Sequence, residues 1–311
     1  MRIVIIGGTG HIGTYLVPEL VKSGHEIVCV TRQQRQPYQQ DPGWAQVRMV
    51  NLDRDAMEAA GSFGQAIADL HPDIVIDLIC FTHPSARQLL DALRGKIKQF
   101  LHCGTIWVQG HSVQVPTTED QPRNPFGDYG IAKAEIEKYL LQEFRTNGFP
   151  ATILHPGHIV GPGWLPVNPA GNKNPAVFDA LKHRNEVFLP NLGMETLHHV
   201  HAADVAQAFA KAITFSNKSI GENFHVVSPQ ALTLRGYAES MADWFGQPTN
   251  LKFLPWDQWK QRHSETDASL TWDHIAHSPN CSIDKARHLI EYQPVYSSLQ
   301  AVQESLGAVN Q

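Results

Sequence analysis

Cysteine is scarce in this chain, and the four present form no pattern. Cys29, Cys80, Cys103 and Cys281 are scattered over 311 residues with no CxxC and no paired spacing, which argues against a disulfide framework. Cys29 and Cys80 sit inside apolar runs, where a free thiol serves as a small hydrophobe, so a reducing compartment is expected. No apolar run approaches the ~18–20 residues that cross a bilayer. No basic-then-apolar leader precedes the opening MRIVIIGG, which reads directly as a strand. A cytoplasmic protein is the expectation. Charge of one sign is also missing: 25 Lys and Arg stand against 30 Asp and Glu, a net −5. That balance gives no electrostatic reason to expect nucleic acid or an anionic membrane as partner. The 17 histidines contain no HxxxH, no HExxH and no Cys/His cluster with ligand spacing, so no metal is expected.

What is present is α/β alternation. Arg2–Ile6 is a short apolar run ending in glycines, suited to a strand buried on both faces. Helical spacing of Ile12, Leu16, Leu20 and Val21 follows and closes at Gly24, and Glu26–Thr31 is a second strand. Further strands are expected over 47–50, 73–79, 99–103 and 151–155, with helices over 55–68, 85–93 and 129–146. This order indicates a Rossmann-type doubly wound parallel sheet over residues 1–155. After Pro156 the composition shifts, and GPGWLPVNPAGNKNP at 161–175 cannot form a regular element. Shorter helices (203–214, 233–245, 284–291) and strands near 187–189 and 222–227 read as a discontinuous cap over 156–311. The stretch 198–228 is expected to return to the first domain.

Gly7-Gly8-Thr9-Gly10-His11-Ile12-Gly13 satisfies G-x-G-x-x-G from Gly8, and it lies between a buried strand and a helix. That context gives the pattern meaning: glycines let the backbone turn tightly and approach a pyrophosphate at the helix N-terminus. These seven residues are therefore candidate cofactor ligands. No carboxylate occurs between Glu26 and Asp41, while Arg32 and Arg35 follow the second strand. A missing acid and two arginines favour NADP over NAD, with NAD the alternative. Asp53, after the third strand, is expected to face the adenine amino group.

GGTGHIG at 7–13, HCGTIWVQG at 102–110, YGIAK at 129–133, HPGHIVGPG at 155–163, HHVHAADVA at 198–206 and SIDKARHLI at 282–290 occur in one order along the chain. Together they resemble the extended short-chain dehydrogenase/reductase superfamily, the group of NAD(P)-dependent epimerases, dehydratases and reductases. The resemblance implies that Thr105 hydrogen-bonds the reacting oxygen and that Tyr129 is the acid-base. It implies that Lys133 holds the nicotinamide ribose, and that Leu78 and Pro156 touch the cofactor. Tyr129 and Lys133 stand one helical turn apart, so the cation is expected to lower the phenol's pKa. A homodimer packed through the helices 85–93 and 129–146 is also implied.

Departures from the family pattern narrow the chemistry. Thr105-Ile106-Trp107 lacks the acid pair of the sugar 4,6-dehydratases, so that dehydration is not expected. His155 and His158 replace an arginine and an asparagine, and Leu197 replaces another arginine, where nucleotide-sugar members bind a diphosphate. The expected substrate is a sugar or related small hydroxylated carbonyl compound, touched by Trp107 and His158. Epimerase and reductase both remain open. A non-catalytic dinucleotide-binding protein, either a redox sensor or an RNA-binding relative, is the alternative.

Overall fold

The computed structural model describes residues 1–32 and 34–309. Six strands, β1 (Arg2–Ile6), β2 (Glu26–Thr31), β3 (Arg48–Asn51), β4 (Ile74–Asp77), β5 (Gln99–Cys103) and β6 (Ala151–Pro156), are joined in one sheet by Asn223–Val226. From one edge the order is Asn223–Val226, β6, β5, β4, β1, β2, β3, and every pair is parallel. The chain enters at β1, winds out to β3, and then returns across β1 to β4. The crevice at the carboxyl ends of β1 and β4 is thus the switch point where such sheets bind ligands.

The strands read as apolar runs because both faces are covered; Ile3, Val4, Ile5 and Ile6 are at most 1% exposed. One face packs on the helices His11–Lys22 and Ala202–Thr214, the other on Phe63–Ala68, His83–Leu93 and Gly127–Asn147. The first helix contains Gly13 and Pro18, so propensity does not hold it. Its buried Ile12, Leu16, Val17 and Leu20 share a core with Val205, Phe209 and Ala212. At ~1.5–3 kcal/mol for each fully buried aliphatic side chain, this packing outweighs the poor local preference and keeps the helix N-terminus in the crevice.

Several elements differ from the sequence expectation. The helix expected over 55–68 is two, Arg54–Ala59 and Phe63–Ala68, because Gly61 adopts φ +67° and ends the first. The helices Ala176–Lys182, Glu265–His277 and Ser298–Val309 have no counterpart in that reading. A signal for the second was available: Ser264 accepts a hydrogen bond from the Asp267 amide as its N-cap, with Glu265 and Asp267 in the first turn.

The segment 161–175 contains no helix or strand, yet it is laced by buried asparagines. The Asn168 side-chain amide donates to Asn172 Oδ1 at 2.6 Å, and that of Asn172 donates to Thr271 Oγ1 at 3.0 Å. Beyond it, Val167, Leu189, Leu197, Leu234, Tyr237 and Trp259 belong to a separate apolar core. Leu197, fully buried, serves that core.

Candidate active site

A cavity of about 710 Å3 opens over the carboxyl ends of β1, β2, β4, β5 and β6, and 161–175 closes one side. Its floor is the glycine turn. Gly7 takes φ +84°, and a Cβ on Gly13 would lie 1.9 Å from the Gly8 carbonyl oxygen, so the strand and helix meet at a distance no side chain allows. Thr9, Gly10, His11 and Ile12 line the cavity, while Gly8 and Gly13 are buried behind them. The helix N-cap, Gly10, supplies no side-chain hydrogen bond, and the first turn carries no acid. An uncapped N-terminus facing a cavity suits a phosphate. These residues fit a dinucleotide.

Leu52, Arg54, Asp55 and Phe63 line the end of the cavity beyond β2 and β3. Asp53, expected there, instead caps the next helix, accepting from the Ala56 amide at 3.0 Å. Its side chain is taken by a local bond that the spacing N-L-D-R did not disclose. Arg54 is already neutralised: it is bidentate to the fully buried Asp77 (2.8 and 3.0 Å) and bonds Glu58 at 2.6 Å. Arg32 and Arg35 also line the cavity, and among the described residues neither joins an ion pair.

Leu78, Cys103, Gly104, Thr105, Tyr129, Lys133 and Pro156 form the central wall. Tyr129 and Lys133 come from the long helix Gly127–Asn147, and Thr105 follows β5. The Thr105 hydroxyl accepts from the Trp107 amide at 3.3 Å and lines the same wall as the Tyr129 phenol. Lys133 is 2% exposed, and its ammonium donates to the carbonyls of Cys80 and Cys103, both at 2.7 Å. It stands 5.9 Å from the Tyr129 ring centroid and 4.7 Å from that of Phe81.

The phenol does not behave as the spacing suggested. Burial pushes Tyr129 up to about 12, Cys103 adds to the rise, and the Thr105 hydroxyl offsets only part of it. Tyr129 is 44% exposed, but it faces this cavity, so dense surroundings still desolvate it. Lys133 lies one turn away as expected, but two backbone carbonyls claim its charge. Burial lowers the pKa of the Lys133 ammonium as well, against the opposing pull of Cys103, Cys80 and Asp77.

The far end is lined by His158, Trp164, Leu165, Val167, Lys173 and His274. Both ring nitrogens of His158 are buried without a partner. Burial, reinforced by His274, His199, His198 and His277, holds it neutral, well below the ordinary histidine range. A buried polar group left bare costs free energy until something binds it. His274 is likewise lowered to about 4, first by burial; its helix was absent from the sequence reading, so its place here was not foreseen.

Trp107, expected on the substrate, is not at the cavity wall. It stacks on His277 (4.2 Å between centroids, 12° apart) and meets Tyr129 edge-on at 6.0 Å. It also lies 5.4 Å from the His274 ring and 6.3 Å from that of His158, two rings that line the far end. His155 is not at the wall either; it is fully buried at the end of β6. Among the described residues no group of three His, Cys, Asp or Glu is arranged to hold a metal. No helix among them is long and apolar enough to cross a membrane.

The sheet order, the glycine turn and the Thr-Tyr-Lys wall define a dinucleotide-binding protein of the extended short-chain dehydrogenase/reductase class. The chain belongs to the NAD dependent epimerase/dehydratase family, whose profile matches residues 3–226. A chloroplast stem-loop binding protein of 41 kDa from Arabidopsis thaliana is 23% identical over 98% of this chain and 78% of its own length. The 2'-dehydrokanamycin reductase of Streptomyces kanamyceticus is 25% identical over 88% of this chain and 76% of its own. Among solved structures, the UDP-glucuronic acid 4-epimerase of Bacillus cereus, in complex with UDP-glucuronic acid and NAD, superposes with a TM-score of 0.73 at 17% identity. That match covers 100% of this chain and 99% of the epimerase. Family membership makes this an NAD(P)-dependent enzyme by type.

Proposed function

We propose that this protein transfers a hydride between NADP(H) and a carbonyl or alcohol carbon of a sugar or similar small hydroxylated compound, as an epimerase or reductase. The observation that carries the reading is the placement of Thr105, Tyr129 and Lys133 together on one wall of the cavity that holds the glycine turn. The nicotinamide, when bound, supplies or accepts the hydride. Tyr129 gives the substrate oxygen a proton on reduction and takes it back on oxidation, while Thr105 hydrogen-bonds the same oxygen. With its pKa at about 12, the phenol is protonated at neutral pH and ready as an acid. Lys133, fixed by the Cys80 and Cys103 carbonyls, is placed to hold the nicotinamide ribose. A soluble homodimer through the helices His83–Leu93 and Gly127–Asn147 belongs to the same reading.

The alternative of a non-catalytic binder is the weaker one. One relative carries a stem-loop binding name, but a net charge of −5 suits a polyanion poorly. A pure binder also has no use for the Thr105–Tyr129 pair.

Cofactor choice rests on Arg32 and Arg35 at the cavity edge, in no ion pair among the described residues, and on the missing carboxylate at the end of β2. A charge-assisted contact to a 2′-phosphate contributes ~1.5–3 kcal/mol. Calorimetry should therefore show NADP(H) binding more than about tenfold tighter than NAD(H), and Arg32→Asp should erase that preference. Tighter NAD binding by the unaltered protein refutes the assignment.

The substrate end argues for a compound without a nucleoside diphosphate. A buried diphosphate needs cations or strong donors, because an unpaired charge out of water costs several kcal/mol. Lys173 is the single cation among the described residues of that end, beside the neutral His158 and His274. These imidazoles suit hydroxyl and carbonyl oxygens. In a thermal-shift panel with NADP present, simple sugars and hydroxylated carbonyl compounds should stabilise the protein more than UDP-, GDP- or dTDP-sugars. Strong stabilisation and turnover by a nucleotide sugar contradicts this. Dinucleotide retained through purification marks an epimerase, and steady consumption of added NADPH a reductase.

A further inference from the structure

Thr105 has a hydroxyl of use to catalysis only if its backbone is held, and the sheet does not hold it. The last ladder bond of β5 is Gly104 N–H to Leu154 O at 2.7 Å. The next amide, that of Thr105, leaves the ladder in extended geometry (φ −161°, ψ 148°). It donates instead to Nδ1 of His155, at 3.0 Å. The imidazole lies so close beneath the turn that a Cβ on Gly104 would stand 2.3 Å from Nδ1, which explains the glycine there.

The other ring nitrogen continues the chain. His155 Nε2 lies 3.1 Å from Glu137 Oε1. Glu137 is 3% exposed and bidentate to Arg123 at 2.9 and 3.1 Å, and it also accepts from Asn223 Nδ2. Burial pushes its carboxyl up, but the His155 imidazole and the Arg123 guanidinium overturn that and hold it well below the usual carboxylate range. Because a backbone N–H can only donate, Nδ1 must be bare and the ring proton must sit on Nε2, pointing at Glu137.

Glu137 lies on the helix that carries the phenol. Tyr129, Lys133 and Glu137 are spaced i, i+4, i+8 along Gly127–Asn147 and so share one face. The contacts run from the Thr105 amide to His155 and from His155 to Glu137, on the helix face that carries the phenol, and the Thr105 hydroxyl lines the same cavity wall as Tyr129.

We infer that His155 and Glu137 are positioning residues that set the Thr105 hydroxyl against Tyr129. His155 acts in one tautomer, which Arg123 secures through Glu137. The inference rests on the proposed roles of Thr105 and Tyr129, but the tautomer can be tested apart from them.

In 15N-histidine-labelled protein, His155 should show protonated Nε2 and bare Nδ1, with a coupling across the hydrogen bond to the Thr105 amide. A proton on Nδ1 overturns the inference and needs no variant to be seen. In His155→Leu, exchange of the Thr105 amide should accelerate by about tenfold or more. Turnover of the compound that the substrate panel identifies should fall about a hundredfold, the effect of a misplacement near 1 Å. Its KM and dinucleotide binding should stay within about threefold. His155→Asn, whose side-chain oxygen can replace Nδ1, should recover most of both losses. Equal losses in the two variants, or a loss confined to KM, would mean the ring only fills space. Should no compound turn over, tautomer and amide exchange decide alone. A fully active Tyr129→Phe would remove the phenol from the chemistry while leaving the His155 tautomer as measured.

Discussion

Tyr129→Phe should bind the dinucleotide nearly as the unaltered protein does and lose ~10²–10⁴-fold in turnover, the usual contribution of a positioned general acid-base group. The substitution keeps the ring, and so keeps the edge-on contact with Trp107 at 6.0 Å and the Lys133 ammonium 5.9 Å from the ring centroid. It removes only the hydroxyl. Stability should therefore hold, and kcat should fall rather than cofactor affinity. Measured by single-turnover hydride transfer, activity within about threefold of the unaltered protein would exclude Tyr129 from the mechanism.

Gly13→Ala should lower both stability and dinucleotide affinity, because the added carbon would lie 1.9 Å from the Gly8 carbonyl oxygen and 2.4 Å from its carbon. Neither atom belongs to a flexible side chain, so the turn and the helix N-terminus must separate. Overpacking of this kind costs ~1–3 kcal/mol, which lowers Tm by roughly 5 °C for a chain of this size. Gly10→Ala makes the contrast. Its Cβ would meet only the Gly7 carbonyl, at 3.4 Å, so the fold should be unaffected while the carbon narrows the cavity wall where a phosphate approaches. Calorimetry should show weaker binding for both variants, and thermal melting should separate them. Equal stability of the two would mean that the turn relaxes freely around Gly13.

Much of the fold was legible in the sequence because the inner strands of the sheet are buried on both faces, which leaves them as mainly apolar runs between turn residues. Ile3–Ile6 and Gln99–Cys103 could be read for that reason. The cap was less legible. Its strands are two to four residues long, too short for a period to show. The helix Glu265–His277 buries Thr271, His274, Ile275 and His277, a polar face for a core, so no apolar stripe announced it. The cap made by Asp53 was not foreseen because an acid after a strand can serve a ligand or cap the next helix with equal local plausibility.

Residue order alone determined the doubly wound sheet, the glycine turn at the switch point and the one-turn spacing of Tyr129 and Lys133. Each depends on local pattern and on the fixed geometry of a strand or a helical turn. Tertiary structure alone decided the electrostatics and the partners. Lys133 donates its hydrogen bonds to the backbone carbonyls of Cys80 and Cys103 rather than lowering the phenol's pKa, and Arg54 is cancelled by Asp77. Trp107 packs among Tyr129, His277 and His274, and His155 reaches Glu137 on the long helix. These outcomes depend on burial and on groups distant in the chain, which set how strongly a charge is felt and which donor finds which acceptor.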